Sequence, residues 1–135
     1  MDTKTIVEAS EATLAGTLPF PAIVAKLIDA GVEYYHVDYI SRCKRFHDGL
    51  GGCVVTPIDF EGLPPIAAEL NLAELKKTIL DSQQHGQKYR EFSARAMAAG
   101  VQSYFAFLRG QRVTYLGRTG DQHTEWFPGA KPRHD

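Results

Sequence analysis

Two short patterns in the chain set an imidazole and a carboxylate two residues apart: His36-x-Asp38 and His123-x-Glu125. On an extended strand that spacing puts both side chains on one face, roughly 7 Å apart at the backbone. If the two strands faced each other, two imidazoles and two carboxylates would converge. Such a set can hold Zn²⁺ or another divalent ion, or move protons as general acid and base. On outer strand faces the same four would be solvated residues without a shared task.

A second candidate set is Cys43, His47 and Cys53, three soft ligands around one hairpin. A structural zinc site normally takes four ligands, and neither Cys-x-x-Cys nor a matching His pair is present. Arg42, Lys44 and Arg45, with Arg109 and Arg112 in the matching turn, would gather positive charge at two hairpin tips. Phosphate or nucleic acid is one partner for such tips; the plain reading is a charged sheet edge that resists pairing with other strands. Gly49-Leu50-Gly51-Gly52 lacks the length and the Lys-Ser/Thr ending of a phosphate loop. Gly-x-Ser-x-Gly and His-Glu-x-x-His are also missing, so no nucleophile or complete ligand set is evident.

The elements that must position these residues come in two copies. Ala30-Gly31-Val32-Glu33-Tyr34-Tyr35 returns as Ala99-Gly100-Val101-Gln102-Ser103-Tyr104, 69 positions later (100 − 31). The offset extends without a gap, placing Phe20 on Tyr89, Phe46 on Tyr115, Gly51 on Gly120 and Ile58 on Phe127. Phe20, Ile23, Val24, Leu27 and Ile28 follow helical spacing and stop at Gly31, which suits a left-handed cap. A first helix is expected over 3–15 and its copy from Asn71, a capping residue, to Gly86. Strands are expected over 32–40, 43–47, 53–57, 101–108, 113–116 and 123–127. Alternation puts Tyr35, Val37 and Tyr39 on the core face. Phe105 and Phe107 stand where the first copy has His36 and Asp38, so that strand is expected to be buried on both faces. Under the same offset Val54 and Thr56 hold the places of His123 and Glu125.

These residues also carry a resemblance. Gly16-x-Leu18-x-Phe20-Pro21, Ala30-Gly31-Val32-Glu33-x-Tyr35-His36-Val37-Asp38 and Gly117-Arg118-Thr119-Gly120-Asp121-x-His123-x-Glu125-Trp126-Phe127-Pro128-Gly129 resemble a small bacterial family of uncharacterised proteins. That family is sometimes labelled "phage envelope protein" and has members inside prophages. The resemblance spans nearly the whole chain and implies a compact α+β domain; no mechanism comes with the label.

Composition sets the remaining bounds. At 135 residues the chain suits one domain, whereas a half of about 69 residues would bury only about 60% of its unfolded surface, so the halves should share a core. A net charge of −1 gives no global pull on nucleic acid or anionic membrane, so any basic patch must be local. Nucleic acid is accordingly not the expected partner, and no segment has the roughly 20 apolar residues of a membrane span. The start of the chain leads into a polar helix, and two cysteines make no disulfide framework. A cytoplasmic setting with reduced thiols is expected.

The expected fold is α+β: two helix-helix-strand-strand-strand repeats, about 1–58 and 71–128, related by a pseudo-twofold and packed as antiparallel sheet under helices. A Pro-rich linker over about 57–70 joins them, and a frayed tail occupies 129–135. The expected function is a non-enzymatic binding or interaction module, because the chain invests in aromatic strands. Tyr34, Arg118, Asp121 and Trp126 are the expected binding residues. A small ligand, a protein or a second copy of the chain are the partner classes left open, and no cofactor is indicated. The alternative is a metal-binding protein or hydrolase-like enzyme using His36, Asp38, His123 and Glu125; a structural phage component rests on the family label alone.

Overall fold

Asp2 opens the first helix by local chemistry. Its carboxylate accepts hydrogen bonds from the Thr5 N–H at 3.1 Å and the Thr5 hydroxyl at 2.6 Å, which occupies an amide that a helix start leaves free. In the computed structural model, which describes residues 1–130, this helix is α1 (Thr3–Ala15). Next comes α2 (Phe20–Asp29), with Pro21 in its first turn and Ile23 and Leu27 buried. Three strands follow, β1 (Tyr34–Asp38), β2 (Cys43–His47) and β3 (Cys53–Pro57). The second half repeats the order with α3 (Leu72–His85), α4 (Tyr89–Ala98), β4 (Val101–Phe107), β5 (Arg112–Gly117) and β6 (Gln122–Trp126).

The 69-residue offset recurs in the backbone. It carries α2 onto α4 and β3 onto β6 with the same bounds, and Asn71 caps α3 as Asp2 caps α1. Arg42 and Gln111, both at φ 57° and both non-glycine, fall on one another. Each occupies the left-handed region that a side chain rarely enters, in the first strand-to-strand turn of its half. Gly100 meets a second demand besides its φ of 100°. A Cβ there would collide with the Glu69 carbonyl oxygen, where the linker crosses the helix end.

The six strands make one antiparallel sheet in the order β3-β2-β1-β4-β5-β6, which reads alike from either edge. The halves meet at the β1–β4 pair, with His36 opposite Phe105, the residues that the offset equates. Two sheets facing each other, the arrangement needed for the four His and carboxylate residues to converge, are not formed. Each half would otherwise leave the first strand of its sheet with unpaired backbone groups, and edge-to-edge joining satisfies both rows at once.

The helices pack on one face. There Tyr35, Val37, Tyr39, Phe46, Tyr104, Ala106, Val113 and Tyr115 are buried with Ile6, Leu27, Leu75, Ala96 and Met97 in a single core shared by both halves. A side chain of that size contributes about 1.5–3 kcal/mol when fully buried. Hydroxyl pairs register the layers: Ser10 with Thr56 at 2.8 Å ties α1 to β3, and Tyr39 donates to Ser93 of α4 at 3.0 Å. Every one of these contacts reaches the same side of the sheet.

Three expectations need adjustment. The first strand is shorter than 32–40: Val32 is held by the Leu27 carbonyl in the helix-to-strand turn, and Ile40 lies 65% exposed in the next turn. β4 is not buried on both faces, because among the described residues no second layer covers Phe105 and Phe107; neighbouring side chains on the sheet shield them in part. For the expected frayed tail, Ala130 closes a turn by donating to the Phe127 carbonyl at 2.9 Å, and 131–135 lie outside the described residues. No described helix is long and apolar enough to cross a membrane.

Candidate functional site

The strand registers place three rows of side chains across the helix-free face. The first runs Cys53, His47, Tyr34, Phe107, Arg112, Trp126 from edge to edge; the second runs Val55, Arg45, His36, Phe105, Thr114, Thr124. Alternation along each strand fixes this membership, since residues directly opposite in a ladder share a face. The third row, Pro57, Cys43, Asp38, Ser103, Leu116 and Gln122, is the least aromatic.

Five of these rings form one continuous stack. His47 lies on Tyr34 at 4.8 Å, Tyr34 neighbours Phe107 at 6.0 Å, Phe107 is parallel to Phe105 at 5.8 Å, and Phe105 lies on His36 at 4.2 Å and 13°. Beyond Phe107, the Arg112 guanidinium sits 5.0 Å above the Trp126 ring, a cation–π contact. From Phe105 to the β6 edge the second row carries only the small side chains of Thr114 and Thr124, whose hydroxyls are hydrogen-bonded at 3.0 Å. Burial outweighs the neighbouring Asp38 and holds His36 below the usual imidazole range, so it is neutral at pH 7.

Asp38 is committed to the turn that follows it. Its carboxylate accepts from the Ile40 N–H at 2.9 Å and the Ser41 hydroxyl at 2.7 Å, with Arg45 at 3.7 Å. Burial pushes its pKa up, but the Ser41 and Ile40 hydrogen bonds outweigh that and leave it below the ordinary carboxylate value. His123 and Glu125 do touch, at 2.7 Å, as the spacing of two on one face allows. They stand opposite Tyr115 and Val113, however, on the helix side of the sheet. His36 and Asp38 are on the other face and three strands away. The four-residue cluster is therefore not assembled. Among the described residues no three His, Cys, Asp or Glu side chains are grouped to hold a metal.

The other candidates separate in the same way. Cys53 faces His47 across the hairpin while Cys43 faces Pro57 at its far end, and both thiols are free. Arg42 and Arg109 occupy turns at opposite ends of the sheet, Arg109 pairing with Glu33 at 3.2 Å. Of the expected binding residues, Tyr34 and Trp126 share the first row. Arg118 instead donates to the Ile66 carbonyl of the linker, and the Asp121 carbonyl closes the last turn by accepting from the Gly117 N–H.

Sequence reading missed Lys44, which it placed at a solvent tip. Lys44 is 3% exposed on the helix side, opposite Thr56, with Nζ 4.1 Å above the Tyr89 ring. No described carboxylate forms an ion pair with it. Burial lowers its pKa to about 7. A void of about 10 Å³ beside it, bounded by Ser10, Thr13 and Tyr35, has room for one water at most. The signal was available: Lys44 lies two residues before Phe46 on a short strand, and the offset equates it with the core residue Val113.

No protein-family model matches the chain, and no curated protein matches it.

Proposed function

We propose that the chain is a non-enzymatic binding module whose working surface is the helix-free face of the sheet. One observation carries this reading: a continuous run of five rings, extended by Arg112 and Trp126, occupies a face on which no described helix packs. A two-layer fold needs apolar side chains on one sheet face only, and a solvated second face would ordinarily alternate to polar residues. Aromatic rings gathered there forgo burial that a partner restores. The free thiols of Cys43 and Cys53 are consistent with work in a reducing, cytoplasmic setting.

Trp126 is the one tryptophan of the chain and stands on this face, which makes it a built-in reporter. Titration with peptides, nucleotides and oligonucleotides, followed by its emission and by sedimentation at rising protein concentration, tests the reading. At least one partner class, or a second copy, should shift the emission, and Tyr34→Ala should weaken that shift. Unchanged emission and mass across the panel would refute it.

The His123–Glu125 contact favours a second reading, a proton-transfer dyad on the helix side. It ranks below the first, because among the described residues no further His, Cys, Asp or Glu groups with the pair as a third ligand.

A further inference from the structure

We infer that the helix-free face binds single-stranded nucleic acid, with a base stacked on Phe105 above the Thr114–Thr124 floor and phosphates held by Arg112 and Arg45. This rests on the binding-face reading and names its ligand.

Ring geometry supplies the first argument. His36 covers one face of Phe105 and Phe107 runs parallel beside it at 5.8 Å, while the cross-strand neighbour on β5 is the small Thr114, which leaves that side of the pair uncrowded by rings. In the second row the two strand spacings from β4 to β6, about 10 Å, carry only Thr114 and Thr124, room for a planar ring beside Phe105, with Arg112 over Trp126 at its border. The threonine hydroxyls on the floor can donate to and accept from a base edge. Bases in a duplex have their faces occupied, so only an unpaired strand can use such a shelf.

Charge supplies the second. Arg45 and Arg112 belong to this face, and among the described residues of its three rows Asp38 is the single carboxylate; of the arginines in the flanking turns, Arg42 adds charge while Arg109 is paired with Glu33. That carboxylate is already held by Ile40, Ser41 and Arg45. The face is thus locally cationic on a chain of net charge −1, a complement to phosphate. A second copy fits less well: face-to-face docking would set arginines against arginines with no spare carboxylate. Six strands of five to seven residues also span only about 500 Å², short of the roughly 800 Å² per partner of a stable dimer.

The test uses a labelled 12-nucleotide single-stranded RNA of mixed sequence, the matching DNA, and the RNA duplex, read by anisotropy and Trp126 quenching at low and moderate salt. Both single strands should bind and the duplex bind at least fivefold more weakly. Phe105→Leu should weaken binding about tenfold. Arg112→Gln should weaken it and lower the salt slope by about one, while Lys76→Gln on the exposed side of α3 should change neither. Circular dichroism checks folding, and Phe107→Leu serves if Phe105→Leu does not fold. No single-strand binding, duplex binding equal to single strand, or binding indifferent to both phenylalanine substitutions would overturn the inference. Sedimentation of the same samples separates the two claims. Self-association that Phe105→Leu abolishes, without RNA binding, would sink the nucleic-acid assignment and leave the binding face standing.

Discussion

His36 and Phe105, equated by the 69-residue offset, lie face to face at 4.2 Å across the seam where the halves join. One imidazole and one phenyl ring therefore occupy matched places, and the seam is asymmetric at its centre. A double-mutant cycle of His36→Leu and Phe105→Leu is expected to give a coupling of about 0.5–1.5 kcal/mol in urea unfolding. A coupling near zero would show that the stack contributes nothing beyond the area each ring buries.

The buried Lys44 makes stability depend on pH. Its pKa is near 10.5 in the unfolded chain and about 7 in the fold, so between those values the unfolded chain holds more protons. Stability should therefore rise as pH increases from about 7 toward 10, with a slope approaching 1.4 kcal/mol per unit. Above pH 10 the trend should reverse. Burial holds Tyr39 up to about 12 and raises Tyr35, Tyr89, Tyr104 and Tyr115 further, so these five ionise there only in the unfolded chain. Lys44→Met should flatten the rising limb and stabilise the protein at pH 7 by at least about 1 kcal/mol. Denaturant melts at several pH values check both, and an unchanged slope in the variant would assign it to other groups.

The two helix-ending glycines predict unequal penalties. Both have positive φ, but a Cβ on Gly31 meets nothing nearer than Met1 at 3.6 Å, whereas one on Gly100 strikes the Glu69 carbonyl. Gly31→Ala should cost about 1–3 kcal/mol from backbone strain, and Gly100→Ala clearly more. Equal losses in thermal melts would mean that the linker gives way freely at Gly100.

Because His36 and His123 are on opposite faces, zinc should not depend on them jointly. His36→Ala and His123→Ala are each expected to leave the zinc content of purified protein unchanged. Loss of a stoichiometric metal in both variants would require a cluster that this topology does not build.

The element order, the helix bounds and five of the six strands, to within a residue, were legible because Gly, Asn and Asp caps and side-chain spacing act locally. The two-residue period likewise identified Tyr35 and Val37 as core. How the two sheets join was not legible, since edge-to-edge pairing through His36 and Phe105 is a long-range choice that local spacing does not encode. That single unknown decided the site, because it fixes on which face each His–carboxylate pair falls. Charge misled at Lys44: residue type suggested solvent, while its place two positions from Phe46 on a short strand dictated burial.

The most direct measurement is a map of backbone amide shifts as the single-stranded 12-mer is added to isotopically labelled protein. Perturbations should gather at Tyr34, His36, Phe105, Phe107, Arg112 and Trp126, with the amides of α1 and α3 unmoved. Perturbations centred on the helices, or none at saturating RNA, would contradict binding on the helix-free face.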